Sequence, residues 1–92
     1  MKPILWDPEK NKCLRRERNV SFEDVVFHMA HGGILDTLEH PNPERYPGQP
    51  IHVIAIEGYA YLVPFAESED EVFLKTIIPS RKATKAYLGD SK

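Results

Sequence analysis

Long apolar runs are missing from this chain of 92 residues: no segment approaches the roughly 20 consecutive apolar residues of a membrane-spanning helix. The opening Met1-Lys2-Pro3-Ile4-Leu5-Trp6-Asp7 also lacks the apolar core of a signal peptide, so a cytoplasmic, membrane-free protein is expected. Cysteine is almost absent. Cys13 alone cannot close an internal disulfide or build a thiolate zinc cluster; it fits a reducing compartment and reads as a packing residue. A basic excess is lacking too: the formal net charge of −2 argues against a general nucleic-acid coat, which usually carries surplus cations. Without an internal repeat, a low-complexity tract or a long linker, residues 1–92 are expected to form one domain. Gly-rich phosphate loops, nucleophile elbows and HExxH motifs are all missing. His28 and His31 stand three residues apart on one helix, but no third ligand follows at a recognisable spacing, so neither a metal nor another cofactor is expected.

What is present suits a small globular domain: 41% hydrophobic and 28% charged residues are enough to build a core and solvate its surface. The charges segregate. Lys10, Lys12, Arg15, Arg16 and Arg18 face a single acid, Glu17, while Lys75, Arg81, Lys82 and Lys85 have no acid among them; between the clusters runs Glu67, Glu69, Asp70, Glu71. Each basic cluster reads either as a solvated face or as a local phosphate site. Lys2 to Trp6 suits a short strand, and Asp7-Pro8 a helix start, with Asp as cap and Pro in the first turn. That helix, Pro8 to about Arg18, has only Cys13 and Leu14 on its apolar side and should end near Asn19, which tolerates a left-handed cap. Ser21 opens a second helix with Asp24 at the third position; Phe22, Val25, Val26 and Met29 make a core-facing stripe, and Gly32-Gly33 stops it.

The rest reads as strands. Ile34 to Leu38 is the first, His40 to Gly48 a Pro-rich loop, and Ile51 to Ile56 a central strand apolar on both sides. Glu57-Gly58 suits a tight hairpin into Tyr59 to Phe65, where Pro64 marks an edge or a bulge. Val72 to Ile78 is the last strand, and Ser80 caps a short helix reaching Leu88. The expected fold is α+β, with two N-terminal helices on a small antiparallel sheet of four to five strands and a short C-terminal helix.

Trp6-Asp7-Pro8-Glu9-Lys10, Val20-Ser21-Phe22-Glu23, Glu44-Arg45 and Ile77-Ile78-Pro79-Ser80-Arg81-Lys82-Ala83-Thr84 occur in the order of corresponding motifs in BrnT-type toxins, which this chain resembles over nearly its whole length. The Arg-Lys-Ala-Thr match is the most specific piece. The resemblance implies a RelE-like fold, a metal-independent ribonuclease that blocks translation, and a cognate antitoxin of ribbon-helix-helix type that masks the toxin and binds DNA. The departures are equally concrete. Leu14 and Glu17-Arg18-Asn19 stand where the family carries an asparagine and Lys-His-Gly, and Ser68 and Thr76 where it carries arginines.

Cleavage by a ribose 2′-hydroxyl needs a proton acceptor, a proton donor and cations for the phosphorane. Under the resemblance, Arg45, Lys75 and Arg81 are expected at the scissile phosphate, with Lys82 and Lys85 on flanking RNA phosphates. Each has a plainer reading. Lys75 alternates with Phe73 and Ile77 and could snorkel from an apolar surface; Arg81 and Lys82 could form an exposed basic cap, and Arg45 could be a surface arginine of its loop. His52 in the central strand reads as a hydrogen-bonded core residue or an acid–base group. A non-catalytic protein-binding module, acting only through an antitoxin or other DNA-binding partner, is the alternative from a different class.

Overall fold

A computed structural model describes residues 2–39 and 50–89. Helix α1 spans Pro8–Arg18 and α2 spans Phe22–Ala30. The strands are β1 (Ile4–Leu5), β2 (Ile34–Leu38), β3 (Ile51–Ile56), β4 (Tyr59–Glu67), β5 (Val72–Leu74) and β6 (Ile78–Pro79). After β6 comes a short helix, α3, at Arg81–Ala83, which widens into π-type turns over Thr84–Leu88.

Local chemistry sets the boundaries. Asp7 accepts from the backbone N–H of Glu9, and Pro8 sits where its missing donor costs nothing; Asn19 closes α1 in the left-handed region, φ 58°, and donates to Arg15. Ser21 and Asp24 form a reciprocal capping box. Between the helices, Asn11 is buried despite its polarity, because its amide accepts from the Phe22 N–H at 2.8 Å and donates to Glu23 at 2.9 Å. That bond, helped by the charge of Arg15, draws the Glu23 carboxyl below its ordinary range. Cys13, by contrast, is exposed. The inner side of α1 is therefore Asn11 and Leu14, and the packing role expected of the cysteine does not hold.

The sheet runs β1-β5-β4-β3-β2, with β6 also paired to β4. Glu57 and Gly58, both at positive φ, make the tight β3–β4 turn. The sheet is mixed rather than wholly antiparallel, since β1 lies parallel to β5, Ile4 beside Val72. The expected last strand is also split. Pro64 offers no backbone donor, its carbonyl accepts from Lys75 at 2.8 Å, and the ladder breaks there between Leu74 and Ile78. The strand β4 continues past Pro64 to Glu67, exchanging its partner β3 for β5.

Two cores lie on opposite sides of the sheet. Under α1 and α2, Phe22 and Val25 are fully buried with Ile54, Val63, Leu74 and Ile77, while Val26 and Met29 pack at the margin, as the stripe predicts. Trp6 stacks on Phe22 with ring centroids 5.7 Å apart. Burying side chains of this kind contributes roughly 1.5–3 kcal/mol each. On the other face, Ala83 of α3 meets Val53 and Ala60, with Leu35, Leu62 and Leu88 around them. Among the described residues no helix is long and apolar enough to cross a membrane.

Candidate functional site

Where α1 ends against the β3–β4 hairpin, the helix-covered side of the sheet is left open as a cleft of about 230 Å³. Arg18, Asp24 and His28 line it from the helices, and Ile56, Glu57, Tyr59 and Tyr61 from the hairpin. The left-handed turn at Asn19 fixes how the last residue of α1 leaves the helix, and the Arg18 guanidinium is then held by donating from Nη1 to the Ile77 carbonyl at 2.8 Å. Among the described residues this is its one hydrogen bond, so the guanidinium keeps donors for another acceptor.

His28 reaches the cleft from the last turn of α2. Its position depends on Gly33, whose N–H donates to the His28 carbonyl at 2.6 Å; a Cβ at 33 would lie 2.7 Å from that oxygen. The two tyrosines alternate along β4 and stand with ring centroids 5.6 Å apart at a steep angle. Burial pushes the Tyr61 phenol above its ordinary value, and Tyr59, Glu57 and Asp24 add to the rise. Tyr61 therefore keeps its proton near neutral pH and can only donate it. Asp24 is engaged in the capping box, whereas Glu57 extends from the hairpin turn and is exposed. One guanidinium, one imidazole and two phenols thus converge beside two carboxylates. They can grip an anion and pass protons in both directions, with the acids limiting how much negative charge is tolerated.

Of the residues expected from sequence, Lys75, Arg81, Lys82 and Lys85 lie outside this cleft. Lys75 is exposed in the connector between β5 and β6, and the strand break removes the shared face with Phe73 and Ile77: Ile77 is fully buried and Lys75 is not. Through its bond to Ile77, Arg18 rests on that same connector. Arg81, Lys82 and Lys85 are exposed, and Lys82 lines an apolar groove with Leu38, Leu62, Ala83, Ala86 and Tyr87 on the opposite side of the sheet. Arg45, with Glu44, lies outside the described residues. In the Arg-Lys-Ala-Thr segment, the buried parts have architectural roles. Ala83 fills the smaller core, and the Thr84 hydroxyl accepts from the Ala60 N–H at 2.9 Å while donating to the Ser80 carbonyl at 2.8 Å.

His52 is half-buried, hydrogen-bonded to Thr37 at 2.9 Å and stacked on Phe65 with centroids 4.1 Å apart. Burial lowers its pKa, and the nearby Glu67 charge opposes that shift. Sequence reasoning weighed His28 only as a partner for His31 in metal binding. Among the described residues no three His, Cys, Asp or Glu side chains gather as a metal group. Arg18 is visible in the sequence as a member of a basic cluster able to hold phosphate, and Tyr61 as a strand residue. The separation that hid the site is the stretch from Arg18 to Tyr61, which only the folded sheet brings together.

Among known proteins, the chain is similar to part of elongation factor Ts from Coxiella burnetii. In strains CbuK_Q154 and Dugway 5J108-111 the identity is 37% over 73 residues, covering 71% of this chain and 25% of the relative. The chain thus spans about a quarter of the length of the curated relatives it matches. No family model matches it. No solved structure matches it either. What the comparisons and the fold together establish is a small α+β fold with a mixed sheet and a partial likeness to elongation factor Ts.

Proposed function

We propose that this chain is the toxin-like component of a type II toxin–antitoxin pair: a RelE-like, cytoplasmic, metal-independent ribonuclease that inhibits translation and is neutralised by a cognate DNA-binding antitoxin. The motif order supports the family reading. The observation that carries the chemistry is the convergence of Arg18, His28, Tyr59 and Tyr61 in one cleft.

In this reading the scissile phosphate lies against the free donors of Arg18. His28 takes the proton of the ribose 2′-hydroxyl, whose oxygen forms a bond to phosphorus as the bond from phosphorus to the 5′-oxygen breaks. Tyr61 gives its proton to that leaving oxygen and is reprotonated from the imidazolium, leaving a 2′,3′-cyclic phosphate and a 5′-hydroxyl. Arg18 carries the phosphorane charge, a task suited to a permanently charged planar fork. Lys82 and Lys85, both exposed, serve flanking phosphates, and Lys75, Arg81 and Arg45 remain the competing cations for the scissile one.

The test is induction of the chain alone in a bacterial host, with RNA integrity followed alongside growth. Arrest with fragments ending in cyclic phosphate is expected, relieved by coexpression of the neighbouring gene's product. Normal growth with intact RNA, from soluble protein, overturns the reading. A second reading has its own support in the net charge of −2 and in Leu14, Ser68 and Thr76 at positions where the family differs: a non-catalytic protein-binding module that acts only through its antitoxin or DNA-binding partner. Growth arrest without RNA cleavage would favour it.

A further inference from the structure

One aromatic side chain of α2 has no place in the core. Phe27 exposes 57% of its surface, although Phe22 and Val25 on the same helix are fully buried. Its ring is nonetheless held. His31 stacks on it, centroids 4.3 Å apart and planes 29° apart, and the His31 imidazole is tied by Nδ1 to the Phe27 carbonyl at 2.7 Å. His28 meets the Phe27 ring edge-on at 5.3 Å. Since His28 also lines the cleft, an unbroken line of rings leads from the cleft to an exposed aromatic surface.

Resting on the ribonuclease reading, we propose that Phe27 and His31 form a stacking platform for an unpaired RNA base next to the cleft, and that the substrate is therefore single-stranded RNA. Every base has a flat face that can extend such a stack, so the platform selects for strand state rather than for sequence. Bases inside a duplex are already stacked and cannot reach it. A protein-docking face would need contiguous apolar surface. The nearby exposed positions of α2 are instead Glu23, Asp24, Ala30 and the platform's own His31.

The test uses a fluorescein-labelled oligoribonucleotide of mixed sequence, 2′-O-methylated throughout so that it cannot be cleaved, and its perfect duplex. Binding by anisotropy is compared for wild type, Phe27→Ala, Phe27→Leu and Phe27→Trp, with thermal melting as the control for folding. The single strand should bind more tightly than the duplex. Phe27→Ala and Phe27→Leu should weaken it by roughly 10-fold or more, and Phe27→Trp should retain it. Leucine keeps the apolar bulk and loses the ring, so wild-type affinity in Phe27→Leu overturns the platform. Equal affinity for the duplex overturns it as well, as does loss of a copurifying protein partner in Phe27→Ala with RNA binding unchanged. In these cases wild-type cleavage of unmodified RNA still stands. Wild-type protein that neither binds the probe nor cuts unmodified RNA removes the ribonuclease reading and the platform together.

Discussion

The two faces of the sheet are built on different economies. The face under α1 and α2 carries the larger core, with Phe22, Val25, Ile54, Val63, Leu74 and Ile77 fully buried, and that core ends in a polar cleft. Among the described residues, the buried cluster under α3 is just Val53, Ala60 and Ala83, and its short helix is fastened by polar contacts: Ser80 capping Ala83, Thr84 bridging Ser80 and Ala60, and Tyr87 donating to Asp36 at 2.7 Å. Apolar burial is cooperative and spread over many neighbours, whereas a few hydrogen bonds can open one at a time. The cleft is thus mounted on the side with the larger apolar core, which suits the chemistry proposed for it, since such a site needs its residues held in place.

This contrast can be broken by substitution. The largest effect should come from Phe22→Ala, which removes a fully buried ring and its stack on Trp6; roughly 3–5 kcal/mol of unfolding free energy should be lost, measured by urea denaturation. Gly33→Ala should come next. Its Cβ meets the His28 backbone oxygen, so the end of α2 must shift, costing about 1–3 kcal/mol and, under the proposed ribonuclease reading, lowering cleavage as His28 moves. Thr84→Val keeps the shape but strands the Ala60 N–H, at a cost of about 1–3 kcal/mol. Hydrogen exchange should then show faster opening of residues 80–88 with α2 unchanged. The opposite pattern would erase the distinction between the faces.

A smaller effect concerns pH. Burial holds the pKa of His52 below its ordinary 6.5, so the unfolded chain binds the extra proton first as pH falls. The stability His52 provides is complete above about 6.5 and is lost as pH drops toward the lowered folded value. His52→Gln should flatten the melting temperature of the protein between neutral pH and pH 5, as read by scanning calorimetry. An unchanged slope would assign the acid sensitivity to other groups.

How legible all this was from sequence follows the range of the interactions. The caps at Asp7, Ser21 and Ser80, the left-handed Asn19 and the Glu57-Gly58 turn are matters of adjacent residues, and the structure contains each of them. The parallel β1–β5 pair joins Ile4 to Val72, and no local pattern announces it. Lys75 was placed by strand alternation, which fails because Pro64, on the neighbouring strand, breaks the ladder beside it. The cleft was the least legible feature. Arg18 and Tyr61 belong to different elements, and the bond from Arg18 to Ile77 spans 59 positions.

The most direct test of the central claim is single-turnover cleavage of unmodified RNA at saturating RNA, where binding defects vanish and chemical ones persist. Arg18→Ala and His28→Gln are compared there with Lys75→Ala, Arg81→Ala and Lys85→Ala. If the cleft is the catalytic site, the two cleft variants should slow by roughly 100-fold or more while Lys85→Ala stays near wild type. Cleft variants that cut at the wild-type rate, with Lys75→Ala or Arg81→Ala slowed instead, would contradict the account and move the chemistry to the β5–β6 connector and the start of α3.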